Sequence, residues 1–255
     1  MVLAVDMGNT QTALGLFDGE ELIYSWRMPT DRTFTKDEIN VRLQGYFRMY
    51  GLDLSCVGTI AFAGVVPQLT REWEGVARQL GAAFLAVGRD TARVTAIKAD
   101  NPAEVGADRV ANAVAAAAFY GSPAIVVDFG TATNIDVVDA SGSYIGGAIA
   151  PGIRISMDAL VARAAQLASV PLEAPAHAIG SNTIEAVQNG IVVGAAAMAE
   201  GLVARIKAEL EAPDAYVIAT GGLASVVARS TDAFDAVDPT LTLRGIQEIY
   251  RRMTE

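Results

Sequence analysis

Three aspartates stand where the residues around them could do chemistry. Asp6 follows the apolar run Val2–Val5 and opens D-M-G-N-T-Q-T-A; Asp128 follows Ala124–Val127 and opens D-F-G-T-A-T. An acid, a glycine and hydroxyl side chains after a strand can hold a phosphate. Main-chain N–H groups approach at the glycine, and threonines donate to the oxygens. The carboxylates would then hold hydrated Mg²⁺ rather than touch phosphate directly. The same residue types also build ordinary tight turns, and for either loop alone that plainer reading is favoured. Recurrence tips the balance: Asp6 to Gly19 spans 13 residues and Asp128 to Gly142 spans 14, as in a duplicated strand–loop–strand–turn–strand unit.

The third aspartate, Asp108, lies in N-P-A-E-V-G-A-D-R, residues 101–109. Asn101, Pro102 and Glu104 occupy cap, first-turn and N3 positions of a short helix. Asp108 and Arg109 open the Ala-rich segment that follows. An acid in a first helical turn suits the helix dipole, so capping alone accounts for Asp108. The chemical reading makes Asp108 a base for a substrate hydroxyl and Arg109 a clamp for a carboxylate. Spacing alone leaves both open. Gly221 and Gly222 of "TGGLAS" either let the backbone approach a flat ligand such as adenine or simply end a strand.

Two strand-rich halves are needed to present these groups. Val2–Val5, Thr12–Phe17 and Leu22–Trp26 read as strands, and Ala124–Val127, Thr133–Val138 and Tyr144–Ile149 repeat them. Helices are expected over Thr35–Tyr50, Arg71–Leu80 and Val110–Tyr120, then over Ile155–Leu167, Thr183–Leu210 and Leu223–Ser230. A strand is expected over Tyr216–Ala219 and a closing helix over 241–253. The best boundary is Gly121-Ser122-Pro123, giving halves of residues 1–121 and 122–255. The expected fold is α/β, with two similar halves facing each other across a cleft. Gly190, Gly194, Ala195–Ala197 and Ala199 give the long helix a stripe of small residues that suits core packing or a dimer seam.

Composition narrows the classes. Hydrophobic residues make up 52% of 255, which argues against extensive disorder. No apolar run approaches the roughly 18 residues of a membrane span, and no basic region precedes the first strand as it would in a signal peptide. The single cysteine, Cys56, excludes an internal disulfide and fits a cytoplasmic location, where a buried, inert thiol is expected. A net charge of −10 without a basic segment argues against nucleic-acid binding. The P-loop pattern G-x-x-x-x-G-K-[ST] is absent, and none of Lys36, Lys98 and Lys207 follows a glycine-rich loop. His177 is the only histidine and sits in a loop, so neither a zinc centre nor a Ser-His-Asp triad is expected.

Taken in order, "DMGNT", "GVVP", "NPAEVGADR", "DFGTATN", "GGAIAPGI", "IGSNT", "NGIVVG" and "TGGLA" resemble the type III pantothenate kinases, within the superfamily of sugar kinases, actin and the large heat-shock chaperones. The resemblance implies duplicated actin-like (ribonuclease H-like) domains, each a mixed sheet flanked by helices. It also implies transfer of the ATP γ-phosphoryl group to pantothenate, the first step toward coenzyme A. Asp6, Met7, Gly8, Asn9, Thr10, Gln11, Thr12 and Ala13 would form the first phosphate loop, with Asp6 holding Mg²⁺ through water. Gly130, Thr131 and Thr133 of the second loop, and Gly221 and Gly222, would also meet ATP. Asp128 would bind a monovalent cation, potassium or ammonium. Gly106, Ala107, Asp108 and Arg109 would bind pantothenate, with Asp108 accepting the proton, and Thr183 would reach it from the partner subunit of a homodimer. Many relatives carry an aromatic residue seven positions before the "GADR" glycine; Ala99 stands there instead, which implies a more open acceptor pocket. The competing readings are a kinase of the same superfamily acting on a sugar or small acid, and a nucleotide-binding regulatory homologue without catalysis.

Overall fold

The computed structural model describes residues 1–64, 66–88, 94–164 and 167–255. Val65 of the "GVVP" segment, and Ala165 and Gln166 near the end of the helix expected over Ile155–Leu167, lie outside the described residues. The chain forms two units, Met1–Ala115 with Thr242–Glu255, and Ala116–Leu241.

The first unit holds a five-stranded sheet in the order β3-β2-β1-β4-β5. Its strands are β1 (Val2–Met7), β2 (Gln11–Asp18), β3 (Glu21–Pro29), β4 (Thr59–Gly64) and β5 (Ala83–Ala86). β1 to β3 are antiparallel neighbours, while β4 and β5 join in parallel. Strand alternation gives the sheet two buried faces. Leu3, Val5, Met7, Leu14, Ile60 and Phe62 pack with apolar residues of α1 (Lys36–Met49) and α2 (Pro67–Leu80). Val2, Ala4, Ala61 and Ala63 pack instead with α3 (Ala107–Phe119) and α8 (Leu241–Thr254).

The second unit repeats the plan. Its sheet runs β8-β7-β6-β9-β10, built from β6 (Ala124–Phe129), β7 (Ala132–Val138), β8 (Tyr144–Pro151), β9 (Tyr216–Thr220) and β10 (Ala236–Val237). Matched by position, β6 to β10 correspond to β1 to β5. Both sheets bulge at the same place, at Leu16/Phe17 and at Val137/Val138. Ile125, Val127 and Phe129 form a core with Ala196, Ala199 and Val203 of α6 (Gly194–Glu209), and with Ala224 and Val227 of α7 (Ala224–Val227).

Local chemistry sets most element ends. Thr35 caps α1 in a reciprocal box with Glu38. Proline at the first position starts α2 at Pro67, ahead of the expected Arg71, and Gly81 in the left-handed conformation ends it. α4 (Ile153–Arg163) starts two residues ahead of the expected Ile155. The helix expected over Thr183–Leu210 is divided into α5 (Thr183–Gln188), a π-helical turn at Asn189–Val193, and α6. Within its small-residue stripe, Ala196 and Ala199 are buried in the second unit's core, while Gly190, Gly194 and Ala197 are exposed. The short strands β5 and β10 were not expected from the sequence.

The closing helix departs from the division at 121/122. From Thr242 onward it joins the first unit, because Leu243, Ile246 and Ile249 are buried with Val2, Ala4, Ala61 and Ala111. The approach is close enough to need glycine. A Cβ at Gly245 would collide with the carbonyl oxygen of Ala111 and lie 2.6 Å from its carbon. Beside that contact the buried Thr242 hydroxyl donates to Asn112 Oδ1 at 2.8 Å. Among the described residues no helix is long and apolar enough to cross a membrane.

Candidate active site

The β1–β2 hairpin of the first unit and the β6–β7 hairpin of the second each carry an aspartate at the end of their first strand, and those strands are built alike. β1 and β6 are six-residue strands, VLAVDM and AIVVDF, with the aspartate fifth and half-buried after four buried apolar residues. Each acid faces a neighbour across the hairpin, Asp6 opposite Ala13 and Asp128 opposite Asn134. The glycine two residues later closes the turn through its own N–H: Gly8 donates to Gln11 O and Gly130 to Ala132 O, both at 3.0 Å. These two N–H groups are therefore spent within the turns. In the first hairpin Asn9, Thr10 and Gln11 form the exposed tip, and in the second Gly130 and Thr131 do so.

Thr12 and Thr133, expected as nucleotide contacts, are each 1% exposed. They hold equivalent positions, opposite Met7 and Phe129. The Thr12 hydroxyl lies 2.8 Å from that of Thr30, and Thr133 donates to the Pro151 carbonyl at 3.5 Å. Both brace their hairpins from beneath. Met7 is likewise buried, and Ala13 half-buried.

Within the first unit Asp6 and Asp108 occupy one face. Alternation along β1 places Asp6 with Val2 and Ala4, on the side covered by α3. Its parallel neighbour on β4 is Ala63, which belongs to the same apolar cluster as Ala107. Asp108 is the second residue of α3, half-buried, and Arg109 follows it. Gly106 has a specific steric role: a Cβ there would collide with Asp108 Oδ1. The glycine leaves the room that lets this carboxylate fold back over the helix start. The turn before it, Pro102–Glu104, differs in detail from expectation. Asn101 makes no side-chain cap and instead donates from Nδ2 to Glu104 Oε1 at 2.7 Å.

Within the second unit the structure joins two motifs far apart in sequence. Gly221, at φ +93°, packs on the Asp128 hairpin; a Cβ would collide with Asp128 Oδ1 and lie 2.7 Å from the Phe129 nitrogen. Gly222 beside it is exposed. Gly152 lies equally close, because a Cβ there would strike the Thr131 carbonyl. In sequence Gly152 stands out only as part of "GGAIAPGI". The only signal was an unexplained glycine at a strand-to-helix junction. Among the described residues no three His, Cys, Asp or Glu side chains gather to hold a metal ion.

Thr183 is the exposed first residue of α5. Asn182 caps this helix by accepting from Glu185 N–H at 3.0 Å. The Ser181 N–H and hydroxyl in turn hold the Glu185 carboxyl below the ordinary range. Thr183 lines an open groove of about 560 Å³ with Leu160, Leu167, Val187 and Ile191. Cys56 is a free, half-buried thiol whose pKa burial pushes up, in keeping with an inert role.

Two sheets of identical strand order, each opening on an aspartate-bearing hairpin, define the duplicated actin-like fold class. Solved structures bear out the fold. The chain covers 100% of itself and 99% of component A of the (R)-2-hydroxyglutaryl-CoA dehydratase of Acidaminococcus fermentans, at a TM-score of 0.58 and 13% identity. It covers 99% of itself and 99% of the ROK hexokinase of Thermus thermophilus, at a TM-score of 0.50 and 15% identity. The family profile of the type III pantothenate kinases matches residues 2–205. A type III pantothenate kinase of Moorella thermoacetica is 46% identical over 255 residues, covering 100% of both chains. The chain belongs to the type III pantothenate kinase family, whose members phosphorylate pantothenate with ATP on the route to coenzyme A.

Proposed function

We propose that the two acidic hairpins bind the nucleotide and that the Gly106–Arg109 segment binds the acceptor in an ATP-dependent phosphorylation of pantothenate. The observation that supports this reading is the equivalence of the strands that carry Asp6 and Asp128, each followed two residues later by a glycine whose N–H closes the turn, over four loop residues in the first hairpin and three in the second. With Gly8 and Gly130 N–H committed to the turns, the exposed tips at Asn9–Gln11 and at Thr131 meet the phosphates. Gly221 and Gly222 give the nucleotide a side-chain-free surface next to the second hairpin.

Asp108 orients the pantothenate hydroxyl and accepts its proton, while Arg109 pairs with the carboxylate. Phosphoryl transfer passes through a loose transition state in which positioning and charge neutralisation outweigh early proton removal, so a carboxylate is base enough. Mg²⁺ would come with ATP, and Asp6 would hold it through water. Asp128 would hold a potassium or ammonium ion, which would offset repulsion between polyphosphate and a chain of net charge −10. The partner's copy of Thr183 approaches pantothenate in a homodimer, and the enzyme works in the cytoplasm.

The test is ADP release from purified protein with pantothenate, in potassium and then in sodium buffer, with Asp108→Asn alongside. Turnover that needs pantothenate and potassium and drops by about 10²–10⁴ in the variant is expected. Tight ATP binding without turnover in either salt would sink the kinase reading and favour a regulatory role.

A further inference from the structure

The segment after β3 is fastened to the first hairpin at three points. Thr30 N–H donates to the Thr10 carbonyl at 2.9 Å. The Thr30 and Thr12 hydroxyls lie 2.8 Å apart. Arg32 Nη2 donates to Asn9 Oδ1 at 3.4 Å. The other end of the segment is equally ordered. Asp31 Oδ1 accepts from the Thr33 N–H at 2.9 Å and from its hydroxyl at 2.7 Å, and Thr35 caps α1. Residues 30–35 are therefore pinned to the hairpin on one side and to a helix start on the other. Arg32 is exposed between these anchors, with its guanidinium at the hairpin tip.

Stability does not explain this arginine. A solvent-exposed hydrogen bond of 3.4 Å to a neutral amide contributes little, and ordering so long a side chain costs rotamer entropy. A guanidinium held against a phosphate-binding loop has a better partner when polyphosphate arrives, since its fork of donors matches phosphate oxygens in charge and geometry. We propose that Arg32 contacts the nucleotide's polyphosphate, exchanging Asn9 Oδ1 for phosphate oxygens on binding. This rests on the nucleotide reading of the Asp6 hairpin. The pinned segment delivers the cation without folding a lid, so most of the ordering cost is met before the nucleotide binds. In the reaction the same group offsets charge on the polyphosphate as the transfer proceeds.

The experiment is calorimetric titration of wild type, Arg32→Ala and Arg32→Lys with Mg-ATP and, separately, with adenosine at millimolar concentration. Arg32→Ala is expected to weaken ATP about 10- to 100-fold and leave adenosine unchanged. Arg32→Lys should recover part of the loss, and KM for pantothenate should stay near the wild-type value. The proposal is overturned if Arg32→Ala binds ATP as tightly as wild type. It is overturned equally if ATP and adenosine weaken together, which marks a merely structural role. Wild type that binds no ATP instead removes the nucleotide reading itself, and Arg32's ligand with it.

Discussion

Two residues of the proposed acceptor segment, Gly106 and Asp108, are coupled through space rather than through a hydrogen bond. Gly106 lacks a side chain where Asp108 Oδ1 lies, and its φ is not in the left-handed region. Alanine can therefore adopt the backbone but must displace the carboxylate. Gly106→Ala is expected to lower kcat by about 10-fold or more, since an ångström of misplacement costs on the order of 10²-fold. Its melting temperature should stay within a few degrees of wild type; a variant that melts early would move the glycine's role from chemistry to folding. Glu248 shows a different kind of dependence. It is 6% exposed, and hydrogen bonds from Arg251, then from Arg252, hold its carboxyl below the ordinary glutamate value. A lowered native pKa stabilises fully above the unfolded value of 4.5 and fades as pH falls through the native one. Urea midpoints measured from pH 7 to pH 3 should therefore converge for wild type and Glu248→Gln at the acid end. At pH 7 the variant should lie about 1 kcal/mol lower.

Among the elements, α3 carries Asp108 at one end and is held from behind by α8. The contact is backbone-close at Gly245 and Ala111, one turn from Asp108. Gly245→Val forces the helices apart and is expected to cost about 1–3 kcal/mol. Activity should fall beyond what the unfolded fraction explains, as comparison of denaturant midpoints with kcat would show. Elements of this kind divide the legible from the illegible. The helix start at Thr35, the paired strands and the turns at Gly19 and Gly142 could be seen in the sequence because their causes are local. The two-residue β10 and four-residue β5 could not, because parallel pairing to β9 and β4 makes them strands. Nor could the attachment of α8, whose apolar stripe predicts a helix face without naming what covers it. At the candidate site, Asp6, Asp128 and Asp108 were legible from acids beside glycines. Gly152, Thr30 and Arg32 were not, since their contacts exist only once strands are in register.

At the scale of the whole molecule, duplication is the strongest message. Two sheets share one strand order, one bulge position and one acidic hairpin, and the sequence showed this as a repeated phrase at nearly equal spacing. What sequence could not assign is the use of the small-residue stripe on the π-helical turn and α6. Part of it is core, and part, with the groove beside Thr183, faces outward. If that exposed part serves a homodimer, sedimentation should give twice the 26.6 kDa chain mass. Thr183→Ala should then raise KM for pantothenate without dissociating the dimer, whereas a monomeric, fully active protein would exclude the shared site.

The return of α8 to the first sheet also bears on how the chain is made. Residues 116–241 have their core partners in one continuous stretch, whereas the first unit waits for Leu243, Ile246 and Ile249. During synthesis the unit that is translated first is thus the one completed last. Its alanine-lined face at Ala4, Ala61 and Ala63 stays without its α8 residues until more than a hundred later residues have emerged. The helix that carries Asp108 gains this support only once residues 243–249 have been made, so a chain stalled before them has both acidic hairpins but an unbraced α3.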